Sequence, residues 1–150
     1  GMGEDALLLA SCGYDVTMFE KDPVIAALLK DAMQRADKCP ELCGIIARMH
    51  LVEDDSTEAM SHMREAPELI YLDPMFPERQ KSGLINKKLQ LIQKIERPCV
   101  DEESLLSAAL LADPRKIVIK RPLKGPYLAN RTPSYSLKGK AIRYDCIVLR

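Results

Sequence analysis

Residues 68–82 of this 150-residue chain read ELIYLDPMFPERQKS, an apolar run that ends in a carboxylate, two prolines and a phenylalanine. Such residue types, packed into so few positions, suit one piece of chemistry. An exocyclic amine on a nucleobase is a weak nucleophile, because its lone pair is delocalised into the ring. A carboxylate and a proline carbonyl that accept hydrogen bonds from the amine aim the lone pair outward and favour a pyramidal nitrogen in the transition state. An aromatic ring stacked on the base holds its plane. Asp73, Pro74 and Phe76 supply these parts. Proline also stiffens the turn and brings no N–H of its own to compete for the acceptors. The plainer alternative is a strand-ending Asp-Pro turn with Phe76 folded into a core.

Three more polar clusters stand upstream. Gly1-Met2-Gly3-Glu4-Asp5 combines glycines, which let backbone approach a ligand, with the start of an apolar helical run. Glu20-Lys21 closes the β-rich stretch DVTMFE, and an acid at that distance from the glycines has the chemistry to accept from both hydroxyls of a ribose. Asp54-Asp55-Ser56 closes MHLVE, where an acid or hydroxyl can receive an adenine amino group or simply cap the next helix. In open α/β sheets, ligands bind beyond the carboxyl ends of strands. Four such clusters in order describe a nucleoside site. A dinucleotide would need a pyrophosphate cradle, and Glu4-Asp5 oppose that charge. S-adenosylmethionine (SAM), which has no phosphate and carries an ammonium and a sulfonium, fits these acids better.

The elements that must position these residues follow from pattern. Residues 5–12 read as a short helix and 15–20 as a strand; Asp22-Pro23 then caps a helix running to about Ala36. ELCGIIAR (41–48) reads as a short helix, MHLVE as a strand and 57–65 as a helix, and LIYL is a buried strand ending at Asp73. GLINKKLQLIQKI and DEESLLSAALLA are amphipathic helices, the second acid-rich in its first turn as the helix dipole favours. KIVIK is a strand, RPLKGPYLANRTP is Pro/Gly-rich, and YSLKGKAIRYDCIVLR reads as two strands joined around Lys138-Gly139-Lys140. Alternating strands and helices predict an α/β, Rossmann-like, mostly parallel sheet with an antiparallel C-terminal strand pair. A strand normally precedes the glycine loop at the centre of such a sheet, and none precedes Gly1. The sequence is therefore expected to be part of a longer one, with residues 1–150 forming one domain.

Composition narrows the class. At 47% hydrophobic and 29% charged residues, the chain reads as globular. No apolar stretch nears the roughly 20 residues that span a bilayer, and the first residues lack a signal-peptide pattern. The five scattered cysteines and two histidines complete no zinc-site spacing, so no metal is expected, and the thiols read as reduced, cytoplasmic, small apolar side chains. The formal net charge is zero but uneven. Residues 1–78 carry 6 Lys/Arg against 16 Asp/Glu, whereas residues 115–150 carry 10 against one. A basic surface for a polyanion is one reading, and a solvated surface is the other.

The strings GMGEDA, FEKDPVIAALLKD, YLDPMFPERQKS and VIKRP, in this order, closely resemble the bacterial ribosomal RNA small-subunit guanine-N2 methyltransferases of the RsmJ type. DPMFP itself is a variant of the Asp-Pro-Pro-Tyr-like motif of amino-directed nucleic-acid methyltransferases. The resemblance runs through nearly the whole chain. It implies a class I methyltransferase fold and methylation of the exocyclic N2 of guanosine 1516 in 16S rRNA, with S-adenosylhomocysteine as the other product. It also implies cofactor contacts at Gly1, Gly3, Glu4, Asp5, Glu20, Lys21, Asp55, Ser56 and Asp73, and a catalytic trio of Asp73, Pro74 and Phe76. The basic residues then gain a use along an RNA backbone, Lys81, Lys120 and Arg121 first. From the residues alone, an adenine-N6 or protein-amide acceptor, a nucleotide-dependent oxidoreductase and a non-catalytic RNA-binding module all stay open.

Overall fold

The computed structural model describes residues 2–74 and 101–150. The chain divides into two compact units, Gly1–Ser56 and Thr57–Arg150. In the first, helix α1 (Glu4–Ser11) is followed by strand β1 (Val16–Phe19), helix α2 (Pro23–Asp37), the single turn α3 (Cys43–Ile46) and strand β2 (Met49–Val52). β1 and β2 are parallel, with Val16 opposite Met49 and Phe19 opposite Val52. A parallel pair needs a crossover, and α2 with α3 provides it. α2 starts where Asp22-Pro23 predicted: the Asp22 carboxylate accepts from the amides of Val24 (2.9 Å) and Ile25 (3.2 Å). Ile25, Ala26 and Leu29 recur at helical spacing and are buried. Ala10, Ile46 and Met49 form a core with Val16, Met18 and Met33 against it. The predicted helix over 41–48 contracts to Cys43–Ile46, because the preceding residues form a turn whose Cys39 carbonyl accepts from Leu42 and Cys43 (both 2.9 Å).

Helix α4 (Ser56–Ser61) leads into the second unit, which continues with β3 (Leu69–Leu72), α5 (Glu102–Leu111), β4 (Lys116–Pro122), a 3-10 turn (Leu128–Asn130), β5 (Tyr135–Lys138) and β6 (Ile142–Val148). α4 stops short of residue 65, its last turn tightening as the amides of His62 and Met63 donate to the carbonyls of Ala59 (3.2 Å) and Met60 (3.5 Å). The sheet order is β3-β4-β6-β5. β3 and β4 are parallel, and β6 runs antiparallel to both of its neighbours. The α/β class and the antiparallel C-terminal pair are thus as expected, and β6 lies between β4 and β5.

Period-2 alternation along β4 turns Ile117, Ile119 and Arg121 inward. The two isoleucines pack with Ile70, Leu72, Leu105, Leu106, Ala109, Leu128 and Ile147. Each buried leucine or isoleucine among them contributes about 1.5–3 kcal/mol through the surface it removes from water. α5 is positioned by its N-cap, Asp101, whose carboxylate accepts from the Ser104 amide at 2.8 Å.

Three charged residues, Arg121, Arg143 and Asp145, are buried in this unit's interior. Arg143 is 6% exposed, and its Nε donates to both oxygens of Asp145, at 2.9 and 3.1 Å. Its Nη1 donates to the carbonyls of Pro122, Leu123 and Gly125 and its Nη2 to that of Pro126, while its guanidinium lies 5.0 Å from the Tyr127 ring centroid. One side chain therefore gathers the whole 122–127 loop. Ser136 donates to Asp145 at 2.6 Å and adds β5 to the network. Arg143→Met should lower unfolding free energy by about 3–5 kcal/mol, because it strands a buried carboxylate and several carbonyls. Replacing Asp145 by leucine in the same chain should recover part of that loss, as read by urea denaturation.

Candidate active site

In the first unit, the polar residues gather beyond the carboxyl ends of β1 and β2. Gly3 is the N-cap of α1 at φ +75°, a left-handed conformation that favours glycine. A Cβ there would stand 2.9 Å from Leu29 Cδ2, so the loop and α2 approach as closely as a bare backbone allows. Glu4 and Asp5 occupy the first turn of α1, where the helix dipole favours acids.

Glu20 directly follows β1, and its amide donates to Val52 at 3.0 Å, extending the pairing past Phe19. Its half-buried carboxylate accepts from the Asp22 amide at 2.9 Å, which fixes it at the strand end. A carboxylate can accept several hydrogen bonds, so this anchoring is compatible with a ribose contact. Across the pair, Asp54 accepts from the Asp55 amide at 2.8 Å, and Asp55 pairs with Lys21 at 3.2 Å. Lys21 thus bridges the two strand-end loops. Ser56 opens α4.

In the second unit, Leu72 of β3 lies opposite Ile119 of β4, so Asp73 and Lys120 are the next residues on neighbouring parallel strands. Lys120 Nζ is 3.0 Å from Asp73 Oδ2, and the two side chains are 25% and 47% exposed. Pro74 is buried. Gly1, Phe76 and Lys81 lie outside the described residues.

Arg121 requires a correction. Its side chain has no solvent exposure, so it cannot meet an RNA backbone directly. Its Nη1 donates to Glu102 at 3.1 Å and its Nε to the Pro126 carbonyl at 2.8 Å. Burial, opposed by Glu102, pulls the guanidinium below its usual pKa, although arginine stays charged. The second Glu102 oxygen accepts from Ala129 at 3.1 Å and holds a residue at φ 47° in the 3-10 turn. Sequence reasoning passed over Glu102, and its signal was slight: an acid in a first helical turn, where the dipole alone explains it. Among the four described cysteines, all free thiols, Cys146 is buried but Cys12 and Cys43 are exposed.

The sequence model of the family described as "Putative SAM-dependent methyltransferase" matches residues 1–149. The chain belongs to that family. It is 45% identical over 146 residues to "Ribosomal RNA small subunit methyltransferase J" of Stutzerimonas stutzeri (strain A1501), covering 97% of this chain and 57% of that protein. The protein of the same name from Thioalkalivibrio sulfidiphilus (strain HL-EbGR7) is 41% identical over 150 residues, 99% of this chain and 59% of that one. The chain thus spans somewhat over half the length of these curated relatives. The crystal structure of a SAM-dependent methyltransferase from Neisseria gonorrhoeae matches with a TM-score of 0.80 at 33% identity, covering 99% of this chain and 58% of that one. A glycopeptide N-methyltransferase solved with S-adenosylhomocysteine, at 15% identity and a TM-score of 0.52, shares the fold.

For this methyltransferase-family chain, the glycine loop gives a direct test. Gly3→Ala should cost about 1–2 kcal/mol from the left-handed backbone, with a further loss from the crowded Leu29. Gly13→Ala, at φ +98° with nothing within 4 Å of the new Cβ, should cost only the backbone share. Chemical denaturation of the two variants side by side measures the difference.

Proposed function

We propose that the protein transfers a methyl group from SAM to the exocyclic N2 of a guanine in 16S rRNA, guanosine 1516 by resemblance, acting in the cytoplasm on that RNA or the small ribosomal subunit. Residues 1–150 supply its methyltransferase domain. The observation that carries the reading is Asp73-Pro74 at the end of β3, with a half-exposed carboxylate, in a chain so similar to proteins named for small-subunit rRNA methylation.

In this reading Gly1, Gly3, Glu4 and Asp5 meet the methionine end of the cofactor. Glu20 accepts from the ribose hydroxyls, Lys21 holds Asp55, and Asp55 with Ser56 receives the adenine. Asp73 and the Pro74 carbonyl accept from the guanine amine, and Phe76 stacks on the base. The amine nitrogen's lone pair forms the new N–C bond as the C–S bond breaks. That bond's electron pair stays on sulfur, giving S-adenosylhomocysteine. One amine proton then leaves, to Asp73 or to water. Lys81 and the exposed Lys124, Arg131, Lys138 and Lys140 serve the RNA backbone.

Tritiated methyl transfer to small subunits and to naked 16S rRNA, followed by nucleoside analysis, tests this. N2-methylguanosine is the expected product. Label in N6-methyladenosine, or in no nucleoside, would overturn the assignment. Asp73→Ala should lower transfer by about 10²–10³-fold, the scale of losing an oriented transition-state contact. Glu20→Ala should weaken SAM binding by about 10- to 100-fold, the worth of hydrogen bonds to a charged group. Unchanged calorimetric affinity would remove Glu20 from the ribose.

A further inference from the structure

We infer that Lys120 is a positioning residue for Asp73 rather than an RNA-backbone contact; this rests on the proposed role of Asp73. β3 and β4 run parallel in register, so their next residues, Asp73 and Lys120, emerge side by side. Paired residues of neighbouring strands present their side chains to one face of a sheet. Here that face also carries Tyr71, Val118 and, from β6, Tyr144, which lies opposite Lys120. The Tyr71 and Tyr144 rings, 6.5 Å apart between centroids, span β4 on that face.

The exposures decide what Lys120 does. Its side chain is 25% exposed and Asp73's is 47%. A lysine that serves phosphates holds its ammonium out in water on a flexible stem. Lys120 instead lays its stem along the sheet and places Nζ 3.0 Å from Asp73 Oδ2. A charge-assisted hydrogen bond on one carboxylate oxygen restrains rotation of the group, and the carboxylate keeps further lone pairs with which to accept. That is the geometry an acceptor needs if it is to orient an amine proton rather than rotate with it.

The same placement excludes a bland surface pair. Exposed ion pairs join two long, solvated side chains, as Arg35 and Asp31 do here at 70% and 64% exposure. Lys120 reaches Asp73 from a three-quarters buried position, and its partner is the residue read as the amine acceptor.

Lys120→Met and Lys120→Arg, alone and with Asp73→Ala, test the role by methyl transfer to rRNA over a range of salt concentrations. Lys120→Met should lower kcat by about 10- to 100-fold, the scale on which supporting residues act through a functional group. The KM for RNA and its salt slope should stay as in the wild type. Lys120→Arg, which keeps a charged donor, should stay within about 3-fold of wild type, less than the loss of a charged hydrogen bond. In the Asp73→Ala background, Lys120→Met should change little, since the two act as a unit. A raised KM with kcat preserved, and a salt slope reduced by roughly 1, would make Lys120 a phosphate contact and overturn the inference. Full additivity of the two variants would overturn it as well. A wild type that transfers no methyl to RNA instead overturns the reading of the site, and this role with it.

Discussion

Parallel pairing in register is the constraint from which the candidate site follows. The residues that follow the last paired positions of two parallel strands are neighbours, whatever their distance in sequence. In the first unit the pair ends at Phe19 and Val52, and Glu20, Lys21, Asp54 and Asp55 come next. In the second it ends at Leu72 and Ile119, and Asp73 and Lys120 come next. Neither pair could be joined by a tight turn, because a parallel connection must return the chain to its starting edge. Helix α2 does this between β1 and β2, and its capped start at Asp22 also anchors Glu20 through a backbone amide. The element that closes the crossover therefore also orients the residue proposed to read the ribose.

Each unit carries carboxylates beyond its parallel strand pair, and in each a lysine answers one of them locally. Lys21, just past β1, meets Asp55, and Lys120, within β4, meets Asp73. The first pair is well exposed, and exposed pairs contribute about 0–1 kcal/mol. Its value is orientation more than stability. The arginines inside the second unit are different. A buried guanidinium is costly unless its donors are satisfied, and Arg143 has Asp145 and four loop carbonyls to satisfy them. The loop it gathers, 122–127, follows the strand that carries Lys120, so the network steadies the end of β4 from behind the proposed transfer residue.

Much of this was legible in the sequence, for identifiable reasons. Asp22-Pro23 names its own helix start, because capping and the proline position are local effects. LIYL before Asp73 names a buried strand, because four apolar residues between polar flanks have few other uses. Arg121 was misread because Lys120-Arg121 looks like one basic patch. In a strand, consecutive side chains point to opposite faces, and Ile117 and Ile119 already showed which face was inward. The alternation was in the sequence, whereas the partner was not. Glu102 lies on a different helix, and only the packing of α5 on the sheet brings it to Arg121. The 3-10 turn at Leu128 escaped for a similar reason. Its residues have no marked local preference for it, and burial of Leu128 with the Glu102–Ala129 bond holds it in place.

The charge asymmetry is likewise less an RNA signal than the raw tally suggests. Of the ten basic residues in 115–150, Arg121 and Arg143 are interior, and Lys120 lies against Asp73. Arg115 and Arg150 face Glu68 and Asp113. Lys116 is half-buried with its ammonium 5.8 Å from the Tyr135 ring centroid, and Lys124, Arg131, Lys138 and Lys140 are the exposed remainder, in or beside the loops flanking β4 and β5. Only charges that neutralise phosphates release counterions, so under the proposed function it is these side chains, together with those outside the described residues, that would set the salt dependence of RNA binding. The interior arginines contribute at one remove, by fixing the loop from which Lys124 extends. A sequence count weighs all ten alike, but burial divides them into charges that build the edge of the sheet and charges that can reach beyond it.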